Sequence, residues 1–176
     1  MPEIFVSWSE YHQLIEKLAV QVHQSGWEFN QIICLARGGL RIGDVFSRLY
    51  RQPLGILAAT SYGGKGDRVR GKLTFARHVT TTAEQMGSRV LLVDDLLDSG
   101  VTLKETIPWL KQNYADHIVE IRTAVIWHKA CSVVAPDYCV EFLEDNPWIH
   151  QPFEAYEHMA LEDLATKLGM QKHSQE

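Results

Sequence analysis

Residues 89–102 read RVLLVDDLLDSGVT: an apolar run, two adjacent carboxylates, a third acid at Asp98 and a Ser-Gly-x-Thr turn. The run VLLV has no polar alternation, which suits a strand covered on both faces, as in parallel sheets flanked by helices. A helix is expected from Thr102 to about Tyr114, so the motif sits on a strand-to-helix junction. Backbone N–H groups at a helix start have no intrahelical partner, and the helix dipole adds positive potential there. Gly100 permits close backbone approach, while Ser99 and Thr102 add hydroxyl donors. Such a turn is suited to a phosphate. Asp94 and Asp95 are suited to neighbouring ligand hydroxyls or to hydrated Mg²⁺. Two plainer readings stand beside this one. Asp98 and Ser99 are also good helix N-caps. A paired Asp at a strand end also occurs in phospho-acceptor receiver domains, usually on the first strand, whereas some ninety residues precede it here.

The flanking chain alternates strand and helix patterns. Ser7 and Glu10 have capping-box spacing, and Tyr11, Leu14, Ile15, Leu18 and Val22 recur at helical spacing up to Gly26. QIICLA (31–36) reads as a strand buried on both faces. After Arg37-Gly38-Gly39, a second helical pattern puts Ile42, Val45, Phe46 and Leu49 on one face, and LGILAAT (54–60) reads as the next strand. Residues 61–88 differ: SYGGKGDRVRGK is rich in glycine and basic side chains, and the region is expected to be a mobile loop with a hairpin through KLTFARHVT (72–80). HIVEIRTAVIWHK (117–129) and YCVEFL (138–143) are strand-like, and Tyr156, Met159, Leu164 and Leu168 lie at roughly helical spacing in the tail. Pro108 falls inside an expected helix, where it favours a kink. The alternation predicts an α/β fold, a doubly wound, largely parallel sheet, forming one domain over 1–176. Ligands in such sheets bind beyond the carboxyl ends of the strands. Arg37-Gly38-Gly39 and Asp94-Asp95 both fall at such ends.

Composition narrows the function classes. With 22 acidic and 17 basic residues the net charge is −5, which disfavours a general nucleic-acid binder. Cys34, Cys131 and Cys139 lack metal-ligand spacing, and Cys34 and Cys139 sit in apolar runs as buried reduced thiols would. MPEIFVSWSE lacks the basic and apolar regions of a signal peptide, and no apolar stretch reaches the length of a membrane span. A cytoplasmic protein with no membrane partner is expected.

VLLVDDLLDSGVTL resembles the phosphoribosyl-pyrophosphate (PRPP) signature of type I phosphoribosyltransferases, with Ser99 standing where Thr is commoner. The resemblance implies the fold of that family, a parallel sheet with a mobile hood loop, here about 61–88. It implies that Asp94, Asp95, Asp98, Ser99, Gly100, Val101 and Thr102 bind PRPP and its 5′-phosphate, with Asp94 and Asp95 also meeting Mg²⁺ directly or through water. LARGGL (35–40) is similar to the family's pyrophosphate loop, implying a role for Ala36, Arg37, Gly38 and Gly39 and a non-proline cis peptide before Arg37. SYGGKGDRVRGK occupies the place of the family's closing loop; of Tyr62, Lys65, Arg68, Arg70 and Lys72, the two arginines rank first for pyrophosphate because their forks suit bidentate phosphate binding.

The acceptor is read farther down the chain, in a base-recognition segment over about 129–156. Lys129 ends the strand TAVIWHK, and PWIHQPFE follows, an arrangement similar to bacterial xanthine–guanine and hypoxanthine (6-oxopurine) phosphoribosyltransferases. The resemblance implies that Lys129 meets the purine O6, Trp148 stacks on the base, the Ile149 backbone reads its edge and Glu154 contributes indirectly. Asp98 is the candidate catalytic group, facing purine N7 as acid, base or hydrogen-bond partner. IWHKACSVVAPDYC and the loop 61–88 depart from the pattern, which leaves the choice among hypoxanthine, guanine and xanthine open. A homo-oligomer is implied. A phosphoribosyltransferase for a pyrimidine or other acceptor and a non-catalytic PRPP-sensing regulator are the two competing readings.

Overall fold

The computed structural model describes residues 2–61 and 73–170. In chain order the elements are β1 (Glu3–Phe5), α1 (Trp8–Gln24), β2 (Gln31–Ala36), α2 (Leu40–Tyr50), β3 (Leu54–Ser61), β4 (Leu73–Phe75) and β5 (Thr80–Thr81). There follow β6 (Arg89–Leu97), α3 (Val101–Asn113), β7 (Glu120–Lys129), β8 (Tyr138–Leu143), β9 (Trp148–His150), α4 (Ala155–His158) and α5 (Leu161–Lys167). They fall into two compact units, residues 13–146 and residues 1–12 with 147–176.

The larger unit carries a sheet of order β4-β3-β2-β6-β7-β8, in which β3, β2, β6, β7 and β8 run parallel. Register is fixed by apolar residues on both faces: Ile32, Ile33 and Cys34 of β2 are fully buried, as are Val90, Leu91 and Val93 of β6. Alternation along β2 sends Ile33 and Leu35 into a core with Leu103 and Leu110 of α3. Cys34 points the other way, against Gly43 of α2. Helices thus cover both faces, which is the doubly wound arrangement expected. The chain leaves β2 for β3 on one side and later returns to β6 on the other, so the order reverses between β2 and β6. In open α/β sheets such a reversal is where ligands bind, beyond the carboxyl ends of the strands.

Several local expectations are met and others change. The capping box at the start of α1 closes reciprocally: Ser7 N–H donates to Glu10 Oε2 (2.8 Å) and Glu10 N–H to Ser7 Oγ (3.2 Å). That hydroxyl and the Ser7 amide lower the Glu10 pKa. α3 continues as one helix through Pro108. Among the described residues of the expected hairpin, β4 and β5 each run antiparallel to β3, Thr74 against Thr60 and Thr80 against Ile56. The hairpin partner is therefore β3, a longer apolar strand with a free edge. Leu49, expected on the inner face of α2, is 59% exposed: Ile42 and Phe46 are the buried residues of that face, and Leu49 lies in the last turn before the helix ends at Tyr50.

In the smaller unit β1 and β9 pair in parallel, Ile4 opposite Ile149. Phe5 stacks on His150 at 4.3 Å, and Tyr11 meets Phe153 edge-on at 5.6 Å. The tail makes two short helices with extended residues Met159 and Ala160 between them. The five-residue step from Met159 to Leu164 turns roughly 140° on a helix, off any single face, so one continuous stripe was never available.

Candidate active site

Two loops meet at the reversal of strand order. The first leaves β2 through a cis peptide between Ala36 and Arg37, as the resemblance implied, and enters α2 with Gly39 as its N-cap. Gly39 N–H donates to Leu35 O at 2.8 Å, folding the loop back on its strand. Gly38 lies against the two acids: a Cβ there would overlap the Asp95 carboxylate and approach Asp94 Oδ1 to 2.9 Å. The backbone at Gly38 can approach these carboxylates only because it lacks a side chain.

The second loop leaves β6. Asp95 is buried and Asp94 half-buried, and Asp94 Oδ1 accepts the Asp95 N–H at 3.0 Å. Burial and then the Asp95 charge push the Asp94 pKa well above the usual carboxylate value; the Asp95 and Gly39 amides oppose this. Two hard-oxygen acids forced together attract a cation. Among the described residues no group of three or more His, Cys, Asp or Glu forms a cage for a metal ion. A pair of carboxylates completed by ligand oxygens and water fits Mg²⁺, which dehydrates reluctantly and is seldom fully caged by protein.

Beyond the acids, Gly100 takes φ 75° as the N-cap of α3, and no side-chain hydrogen bond caps that helix. The plainer reading of Asp98 and Ser99 as N-caps is therefore not the arrangement adopted. The first amides of α3 remain available to an anion, beside a small hollow of ≈ 90 Å³ lined by Asp98, Ser99, Gly100 and Thr102.

Lys129, at the end of β7, is brought to Asp98. Its Nζ stands 3.2 Å from Asp98 Oδ1, with the lysine side chain 8% exposed and the aspartate 61%. The structure thus unites two groups that lie far apart in sequence. Trp148 and Ile149 are on β9 of the smaller unit, Trp148 55% exposed and Ile149 buried. Glu154 is 3.9 Å from His150 Nδ1. Arg68 and Arg70, with Tyr62, Lys65 and Lys72, lie outside the described residues.

The turn after Lys129 carries contacts that the sequence did not announce. Val133 N–H donates to Ser99 O (3.1 Å), and Cys131 Sγ lies 3.6 Å from Asp98 O. Its residues are ordinary turn and apolar types, with no motif to mark them. Cys131 is exposed, Cys34 is buried and Cys139 half-buried, all as free thiols. Burial pushes the Cys34 thiol up to about 12.

The phosphoribosyl transferase domain family matches residues 7–158. The xanthine-guanine phosphoribosyltransferase of Idiomarina loihiensis is 30% identical over 164 residues, 93% of each chain. Among solved structures, a purine phosphoribosyltransferase from Pyrococcus horikoshii matches with TM-score 0.67 and 27% identity, covering 87% of this chain and 94% of that one. The Helicobacter pylori xanthine-guanine-hypoxanthine phosphoribosyltransferase shares the fold, with TM-score 0.70 at 22% identity over 93% of this chain and 99% of that one. No helix among the described residues is long and apolar enough to cross a membrane. The family match across most of the chain and the relative at 30% identity make this chain a type I phosphoribosyltransferase, related to a bacterial xanthine-guanine enzyme.

Proposed function

We propose that the chain transfers the 5-phosphoribosyl group from PRPP to a 6-oxopurine (hypoxanthine, guanine or xanthine), releasing pyrophosphate. The observation that carries this reading is the Lys129–Asp98 contact at 3.2 Å beside the uncapped start of α3. It puts a cation suited to an exocyclic oxygen next to a carboxylate suited to a ring nitrogen, at the mouth of a phosphate-sized hollow. A 6-oxopurine presents O6 and N7 side by side and answers both groups at once; a pyrimidine has no imidazole nitrogen for Asp98. The relatives named above support a purine acceptor.

In this reading the amides and hydroxyls of Ser99–Thr102 hold the 5′-phosphate and anchor the ribose away from the reacting bond. Asp94 and Asp95 orient the ribose hydroxyls. The backbone of Ala36–Gly39, the Arg37 guanidinium and the Arg68 and Arg70 side chains hold the pyrophosphate. Asp94 and Asp95 would hold Mg²⁺, which would supply charge neutralisation for the leaving group. A ring nitrogen of the base bonds to C1 as the C1–O bond to pyrophosphate breaks, with inversion. Asp98 meets N7 and takes up or shares the proton that the base gives up. Trp148 stacks on the base and the Ile149 backbone reads its edge. The protein acts as a cytoplasmic homo-oligomer, which size-exclusion chromatography with light scattering checks.

The test incubates the protein with PRPP, Mg²⁺ and, separately, hypoxanthine, guanine, xanthine, adenine, uracil and orotate, and measures nucleotide and pyrophosphate. Product is expected with at least one 6-oxopurine and not with the pyrimidines. Product with uracil or orotate alone selects the pyrimidine reading; PRPP binding without any product selects the regulator.

A further inference from the structure

β7 ends at Lys129 and the chain turns before reaching β8. Two bonds tie this turn to the far end of β8 and the residues beyond. Ala130 N–H donates to Leu143 O (2.9 Å), and Cys131 N–H donates to Asn146 Oδ1 (3.0 Å). Asn146 has φ 48°, in the left-handed region. Glycine occupies that region at lowest cost, and Asn does so with a side chain able to accept a hydrogen bond. Arg51, the other described non-glycine residue with positive φ, closes helix α2, where that conformation is usual. Asn146 closes no helix. Its carboxamide oxygen instead receives an amide from fifteen residues earlier.

The held turn lines the catalytic loop. Lys129 Nζ is 3.2 Å from Asp98 Oδ1, and Cys131 Sγ is 3.8 Å from the same oxygen. Ser132 N–H closes the turn on Lys129 O at 3.0 Å, and Val133 N–H reaches Ser99 O at 3.1 Å. Ser132 Oγ occupies the space where Gly100 would carry a Cβ. The placement of Asp98, Ser99 and Gly100 is therefore backed by a turn whose other side is fastened to Asn146. This turn lies in the segment that departs from the resemblance noted in the sequence.

We propose that Asn146 is a positioning residue for the transfer reaction. Through the Cys131 amide it sets where the 129–133 turn places Lys129 and the Cys131 thiol against Asp98, and so the geometry of the carboxylate that faces the base. This rests on the 6-oxopurine reading above.

Two variants separate the backbone role of Asn146 from its side-chain role. Asn146→Gly keeps the left-handed conformation and removes the acceptor; Asn146→Asp keeps an acceptor and tolerates the conformation. With Mg²⁺, PRPP and the preferred purine, Asn146→Gly is expected to lower kcat about tenfold or more, with the KM for PRPP within about twofold of the parent. Asn146→Asp is expected to recover most of that kcat. An activity-free readout accompanies these: alkylation of Cys131 by iodoacetamide, mapped by peptide mass spectrometry, is expected to run faster in Asn146→Gly, where the turn is loosened, and at the parental rate in Asn146→Asp. Parental kcat and parental labelling in Asn146→Gly overturn the proposal, and so does an Asp variant as impaired as the Gly variant. Should the parent make no product with any purine, the functional reading fails, and unchanged Cys131 labelling across the variants then overturns the positioning of the turn as well.

Discussion

The Lys129 ammonium is held inside the protein, and its partner, Asp98, faces mostly outward. Such a pair lies between the exposed and buried limits, so losing the Asp98 charge is expected to cost roughly 1–3 kcal/mol of stability. That is too little to unfold an ordinary domain, which makes Asp98→Asn a clean probe. Turnover is expected to fall about a hundredfold or more while PRPP binding is largely retained. Unchanged turnover removes Asp98 from the mechanism. Asp94 gives a prediction of opposite sign. Burial and the Asp95 charge raise its pKa, so the folded protein keeps a proton that the unfolded chain has released. Stability contributed by this group therefore falls as pH rises from the ordinary carboxylate range through the raised folded value. Asp94→Asn is expected to raise the melting temperature of the ligand-free protein at neutral pH, on the order of 2–4 °C for each kcal/mol gained in a chain of this length. The same change is expected to weaken PRPP binding in Mg²⁺. A lower midpoint would show that Asp94 is held by favourable contacts rather than against its charge.

At the scale of elements, the site is two strand-to-helix loops whose glycines are required by space and by torsion. Gly38→Ala places a methyl group on the Asp95 carboxylate, and Gly100→Ala combines φ 75° with a clash against Ser132 Oγ. The torsional part at Gly100 alone is about 1–2 kcal/mol. Both variants are expected to lose PRPP affinity in calorimetric titration and to unfold at lower urea than the parent. Wild-type affinity in both would mean that the loops do not approach the ligand. These loops were legible in the sequence because their signals are local: an apolar run stops, acids or glycines follow, and a helical period begins. Leu49 shows where such signals fail, since periodicity marks a face but not how far along it burial extends. β4 and β5 show the same for pairing, since two short strand-like pieces could not reveal that β3 was partner to each.

For the molecule as a whole, the proposed ligand loops and the sheet are one construction, because the order reverses between the strands that carry the two loops. A ligand that binds only the folded chain stabilises it by mass action, about 2.7 kcal/mol at a hundredfold its Kd. PRPP with Mg²⁺ is therefore expected to raise the melting temperature by several degrees, and more than either alone. Equal midpoints with and without PRPP would count against the two loops as its site. The sequence by itself determined the α/β class, the parallel core strands and the loops at 36–39 and 94–102, since burial on both faces and helix-start chemistry are written in neighbouring residues. Only the tertiary structure decided that Lys129 pairs with Asp98, that Asn146 fastens the turn behind them, and that Glu3–Phe5 pairs with Trp148–His150. Three-residue strands carry no periodicity, and a lysine at a strand end reads the same whatever carboxylate it meets. Those partners are set when the packed sheet brings distant strand ends together and desolvation makes an unpaired charge or amide costly.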